Sequence, residues 1–299
     1  MAKDSGIQWT THTFNPWWGC EKVSPACKHC YAESFAKRVG KSVWGGADSE
    51  RRFFGAQHWN EPIKWNRDAL KAGERHRVFC ASMADVFEDR RDLDVERAKL
   101  WPLIAATPAL DWLLLSKRWG SADIANMVPR EWADGWPANV WAGATVEDQE
   151  QAEKRIPALL RVPAAISFLS MEPLLAPVDL SIYIGAGAGH RGSFMALHHE
   201  ARHRRPSWII LGGESGARAR AIDLGWIRSL RDQARHAGVA VFVKQFGSVS
   251  TWGDDDMRAM RQKARRLTFA GTEVSLNDGH GGDPSEWPAD LRVREFPRT

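Results

Sequence analysis

Three observations in the sequence predict an α/β fold, a partial or full (β/α) TIM-like barrel of about seven parallel strands. Short apolar, β-branched or aromatic runs recur along the chain, segments of helical period separate them, and almost every run ends on polar or small residues. Runs this apolar suit strands buried on both faces, as in a parallel sheet. Alternation of such strands with helices gives either a doubly wound sheet or a barrel. The polar ends favour the barrel, because a barrel builds its site from the loops after many strands, whereas a doubly wound sheet concentrates it at one switch point.

The first strand is expected within Thr11–Gly19, and the next runs are Val78–Ser82, Asp111–Lys117, Asn139–Thr145, Ala165–Ser170, Trp208–Gly213 and Val239–Gln245. Asp94–Ala106, Glu147–Leu160 and Leu224–His236 carry charged residues between apolar ones, as amphipathic helices do. The strand ends supply the candidate cofactor-binding residues: Ser82 and Asp85, Lys117, Thr145, Ser170 and Glu172, then Gly212, Gly213 and Glu214. The glycines suit either close backbone approach to a ligand or a tight turn. The barrel is expected over residues 1–250 with an insertion at 185–206, and residues 251–299 as an irregular extension packed on it.

Apolar residues make up 43% of the 299 and charged residues 26%, the balance of an ordinary globular protein. No apolar run reaches membrane-spanning length; Leu100–Leu110 is broken by Pro102 and Pro108. The first residues lack a signal-peptide layout, so a cytoplasmic protein with reduced thiols is expected. The 41 basic against 37 acidic side chains permit a polyanionic partner without requiring one. Sixteen tryptophans are many; most are expected in the core, with a few free to stack on a flat substrate.

Four cysteines are too few for a disulfide scaffold. Cys20, Cys27 and Cys30 lie in a C-x6-C-x2-C array, whereas Cys80 falls inside a strand and reads as a small buried hydrophobe. Clustered thiols in a reducing compartment indicate metal. Three local thiolates suit a [4Fe–4S] cluster with one iron left open to a cofactor or substrate. Zinc is the alternative, with His29 or His12 as a fourth ligand, but His29 between Cys27 and Cys30 is badly placed to turn onto the same ion.

The stretch from Asn15 to Glu33 (N-P-W-W-G-C, then K-V-S-P-A-C-K-H-C-Y-A-E) resembles a family of phage and prophage proteins described as radical-S-adenosylmethionine-like, with a domain of uncertain function. Ser82–Phe87, Leu115–Arg118, Asn139–Gly143, Leu169–Leu174, Trp208–Gly216 and Phe242–Gly247 resemble further blocks of it, in order. The resemblance implies a barrel of the radical S-adenosylmethionine type with the cluster on Cys20, Cys27 and Cys30. Its cysteine spacing is three residues wider than the usual C-x3-C-x2-C.

The function expected is therefore that of a radical S-adenosylmethionine enzyme, in which the cluster reduces the sulfonium and a 5′-deoxyadenosyl radical is released. An electron donor such as flavodoxin or ferredoxin is implied. The substrate expected is a nucleic-acid base or nucleotide, on the basic insertion that holds Arg191, Arg202, Arg204 and Arg205 and on a second basic stretch, Arg258–Arg266. A zinc-stabilised nucleic-acid-binding protein without turnover and a radical lyase repairing damaged bases remain as alternatives.

Overall fold

The computed structural model describes residues 5–185, 204–260, 264–267 and 273–298. In chain order its strands are β1 (His12–Thr13), β2 (His76–Cys80), β3 (Leu110–Ser116), β4 (Val140–Thr145), β5 (Ile166–Met171), β6 (Trp208–Gly212), β7 (Ile222–Asp223), β8 (Ala240–Gln245), β9 (Ser250–Thr251), β10 (Ala264–Leu267) and β11 (Glu273–Leu276). The helices are α1 (Tyr31–Arg38), α2 (Ala56–Trp59), α3 (Glu61–Ala72), α4 (Asp94–Ala105), α5 (Gln149–Arg161), α6 (Ser181–Ile184), α7 (Leu224–Ala237) and α8 (Asp254–Met260).

Seven strands form one sheet in the order β1-β2-β3-β4-β5-β6-β8. The pairs β1–β2, β2–β3, β3–β4, β5–β6 and β6–β8 are parallel. The order never reverses, so the sheet has no switch point. This is the topology of a partial TIM-like barrel, and the α/β expectation is borne out. β4 and β5 are buried at every position, which explains their unbroken apolar character.

By contact density the chain divides into two compact units: Met1–Ala144 with Ala158–Ser167, and Thr145–Pro157 with Phe168–Thr299. In the first, Phe14 meets Trp59 and Trp112 edge-on, and Trp119, Trp132 and Trp136 form a second aromatic group with Phe87. In the second, Trp208 is packed between Phe168, Phe242 and Phe296. None of the sixteen tryptophans is exposed, so the expected exposed stacking platform is not there; ring area of this size stays in the core.

Local signals set the helix ends. α7 starts where the Asp223 carboxylate accepts from the Gly225 N–H, and it stops at Gly238, whose φ of 65° closes the last turn. The chain after Thr251, expected to be irregular, contributes β10 and β11 to a second, four-stranded sheet of order β10-β11-β9-β7. The 185–206 insertion, with Arg191 and Arg202, lies outside the described residues except at its ends.

Arg228 and Arg231 of α7 both grip Asp290, at 2.8 and 2.6 Å, and Arg228 also takes Asp256 at 2.6 Å. Hydrogen bonds from Arg228 and Arg231 hold the Asp290 carboxyl down to about 2. A carboxyl held low adds stability above its unfolded value of about 4, and that stability is lost as pH falls through the folded value. Urea melts of Asp290→Asn should therefore show a flatter loss of stability between pH 4 and 2 than wild type, and parallel curves would exclude Asp290 as a source of acid lability.

Candidate metal centre

Cys20 follows Gly19, which has a φ of 115° and no room for a side chain: a Cβ there would lie 2.2 Å from the Val43 carbonyl oxygen. The Gly19 N–H bonds the Met83 carbonyl, and the Cys20 carbonyl accepts from the Gly45 N–H. Residues 43–51 thus pass directly beside Cys20. Cys27 ends a 3₁₀ turn, Pro25–Cys27, with its sulfur 3.8 Å from Ser24 Oγ. Cys30 immediately precedes α1 and packs with Trp18 and Trp44 against Ala32, Ala36, Val43 and Met83.

All three thiols are free and partly exposed, and all come from one short segment after β1. Burial, then the Asp85 and Glu88 carboxylates, push the Cys20 thiol up to about 12, against the pull of Arg118. An Arg118 Nη lies 3.9 Å from Cys20 Sγ. Soft sulfur donors beside a buried cation suit a thiolate-held metal group in their chemistry. Among the described residues no three His, Cys, Asp or Glu side chains are gathered at metal-holding spacing. Of the zinc reading's extra ligands, His12 has Nε2 3.0 Å from His76 Nδ1 and stacks on Trp65. Cys80 is wholly buried in β2, and burial pushes its thiol up.

Ser82 and Asp85 are tied into the first unit's frame. Asn15 Nδ2 donates to Ser82 Oγ at 3.0 Å, and Tyr31 Oη donates to the Ser82 carbonyl at 2.8 Å. Asp85 accepts from Ser116 Oγ, the Lys117 N–H and the Phe87 N–H at 2.8–3.1 Å. It thereby fastens the end of β2 to the end of β3. The Lys117 side chain is half-buried, with no ion pair or hydrogen bond from its ammonium among the described residues. Arg51, Glu88 and Arg118, which sequence reasoning did not single out, complete the group. Arg51 takes both oxygens of Glu88 at 2.6 and 3.2 Å, with each side chain essentially inaccessible.

In the second unit Thr145 is 1% exposed and its hydroxyl has no hydrogen-bond partner among the described residues. The Ser170 carbonyl accepts from the Val146 N–H at 3.0 Å. Glu172 pairs with Lys244 at 2.5 Å, and Gly212 leaves space for it, since a Cβ there would meet Glu172 Oε2 at 3.1 Å. Gly213 is required by close packing: a Cβ would lie 2.2 Å from the Phe246 carbonyl oxygen. Glu214 is gripped by Arg220 through the backbone N–H and two guanidinium nitrogens at 2.6–2.9 Å. Gly212–Glu214 thus leaves the end of β6 as closely packed chain, with the Glu214 charge paired to Arg220. Of the basic residues of the insertion, Arg205 donates to the Ala237 carbonyl at 2.7 Å, and Arg204 is half-buried.

No helix among the described residues is long and apolar enough to cross a membrane. Comparisons with curated proteins and with solved structures gave no match. A family profile matches residues 4–276 without assigning a cluster or a phage origin, and by that match the chain belongs to the DUF5131 family of proteins of unknown function.

Proposed function

We propose that the chain is a radical S-adenosylmethionine enzyme acting on a nucleic-acid base or nucleotide. The observation that carries the proposal is the set of three free thiols on one segment after β1, with the buried Arg118 cation beside the first of them. Cys20, Cys27 and Cys30 would hold a [4Fe–4S] cluster, which when bound supplies one electron for reductive C–S cleavage of the sulfonium to release a 5′-deoxyadenosyl radical. The cofactor brings that chemistry, and the chain's own groups orient it and exclude water.

Among the strand-end residues, Lys117 is the charge best suited to meet the cofactor's carboxylate, because its ammonium is not spent on a partner among the described residues. Asp85 and Glu214 are less suited to receive its amino group, since internal donors already surround both. A nucleic-acid or nucleotide substrate fits the excess of cations, among them exposed Arg258.

Anaerobic reconstitution with iron and sulfide, then reduction in the presence of S-adenosylmethionine, tests the proposal. The expected products are 5′-deoxyadenosine and methionine, with release stimulated by single-stranded DNA or by mononucleotides according to the true substrate. Lys117→Ala should weaken cofactor binding about tenfold or more by calorimetry, the loss of one charge-assisted hydrogen bond, and leave the iron content unchanged. A colourless protein with stoichiometric zinc would favour the nucleic-acid-binding module instead.

A further inference from the structure

We infer that Arg118 is a positioning residue for the Cys20 arm, a buried guanidinium that steadies the Cys20 sulfur and sets positive charge beside the cluster. The inference rests on the function proposed above and adds to it a residue that governs the cluster's electron affinity.

The backbone delivers Arg118 rigidly. Its N–H bonds Ser116 Oγ at 2.9 Å, Ser116 Oγ donates to Asp85 at 2.8 Å, and the Arg118 carbonyl accepts from Ser121 and Ala122. The side chain is 9% exposed, yet its nearest carboxylate oxygens, on Asp85 and Glu88, are both 3.8 Å away. That is too far for a hydrogen bond. Each carboxylate also has closer donors, Glu88 from Arg51 and Asp85 from β3, so Arg118 is not their principal partner. Among the described residues its Nε has no hydrogen-bond partner, while Nη2 reaches the Glu21 carbonyl at 3.3 Å and Cys20 Sγ at 3.9 Å.

A guanidinium taken out of water whose two carboxylate partners stand at 3.8 Å, beyond hydrogen-bond contact, has its desolvation repaid only in part. Its other contacts are the Glu21 carbonyl and the sulfur of a candidate ligand, and a thiolate-held cluster would add negative charge beside it. Positive charge at that place stabilises the more negative, reduced form, and so raises the reduction potential. Lysine would keep the charge but could not span the Glu21 carbonyl and the sulfur with a planar fork.

The test compares reconstituted wild type, Arg118→Gln and Arg118→Lys by iron content, electron paramagnetic resonance and dye-mediated redox titration. Arg118→Gln should bind iron but show a more negative midpoint, with the reduced-to-oxidised ratio at fixed potential about tenfold lower, ~59 mV for one electron. Arg118→Lys should restore most of that shift while losing iron to a chelator at least about threefold faster than wild type, a comparison that decides if Arg118→Gln does not fold. A clustered Arg118→Gln protein with an unmoved midpoint, or an Arg118→Lys protein as retentive as wild type, overturns the role of Arg118 alone. A wild type that takes up no cluster overturns the proposed function, and this inference with it.

Discussion

Cys27→Ala is expected to leave the reconstituted protein without bound iron, and Cys80→Ala to bind as much as wild type. This expectation separates the two kinds of cysteine in the chain. Cys27 closes a 3₁₀ turn three residues before Cys30, so the two sulfurs leave the backbone within a single turn of chain. A cluster held by only three thiolates has no spare protein ligand, and removing one of them should take iron content to less than about a tenth. Cys80 lies in the interior of the parallel sheet, fully inaccessible and kept in its thiol form by burial. A colorimetric iron assay with the charge-transfer absorption of the anaerobic protein decides. Full iron in Cys27→Ala would remove the cluster from these residues.

Much of this architecture is legible in the sequence because it depends on burial. The runs Asp111–Lys117, Ala165–Ser170 and Trp208–Gly213 become β3, β5 and β6 within a residue or two, since strands buried on both faces are nearly continuous in apolar residues; the one buried charge within them, Asp111, is paired with Arg75. Leu224–His236 becomes α7 through one apolar stripe, whereas Asp94–Ala106 becomes α4 without one, burying Glu96 and Arg97 beside Leu100, Leu103 and Ile104. What escapes is short or long-range. β7 and β9 have two residues apiece, too few to show a period, so the second sheet is invisible until its strands pair. α3 was missed although Pro62 in its first turn and Gly73 at its end mark it out.

The site divides along the same line. The three thiols are local in sequence and lie on one segment after β1, though among the described residues they are not gathered at metal-holding spacing. The groups around them come from distant positions: Asn15 to Ser82 spans 67 residues, and Arg118 to Cys20 spans 98. No pattern in a single sequence connects such pairs. Gly213 is open to two readings in the sequence, ligand approach or a tight turn, and the structure adds a packing reason for the glycine, since a Cβ there would meet the Phe246 carbonyl.

Arg51→Met should be the most destabilising single substitution near the cysteines, by about 3–5 kcal/mol, because it strands a buried carboxylate. The Arg51 guanidinium serves six acceptors: both oxygens of Glu88 and the carbonyls of Val43, Gly45, Ser49 and Glu50, at 2.6–3.2 Å. Without it Glu88 is left with Arg118 at 3.8 Å, and four carbonyls lose a donor. Against a total stability of about 5–15 kcal/mol, that is a large fraction. Arg51→Met/Glu88→Met should recover part of the loss, since the unpaired charge is gone, but not all, since the carbonyls remain without their donor. The damage should also be local in its first effects. Residues 43–51 are the chain against which Gly19 is packed, and Gly45 holds the Cys20 carbonyl, so the Gly45 amide should exchange with solvent faster than those of β3. Urea melts and amide exchange on the three proteins measure both effects. A single-variant loss below about 1 kcal/mol would mean that residues 43–51 are held to Cys20 by packing, and that the buried Arg51–Glu88 pair is not what fixes the first cysteine in place.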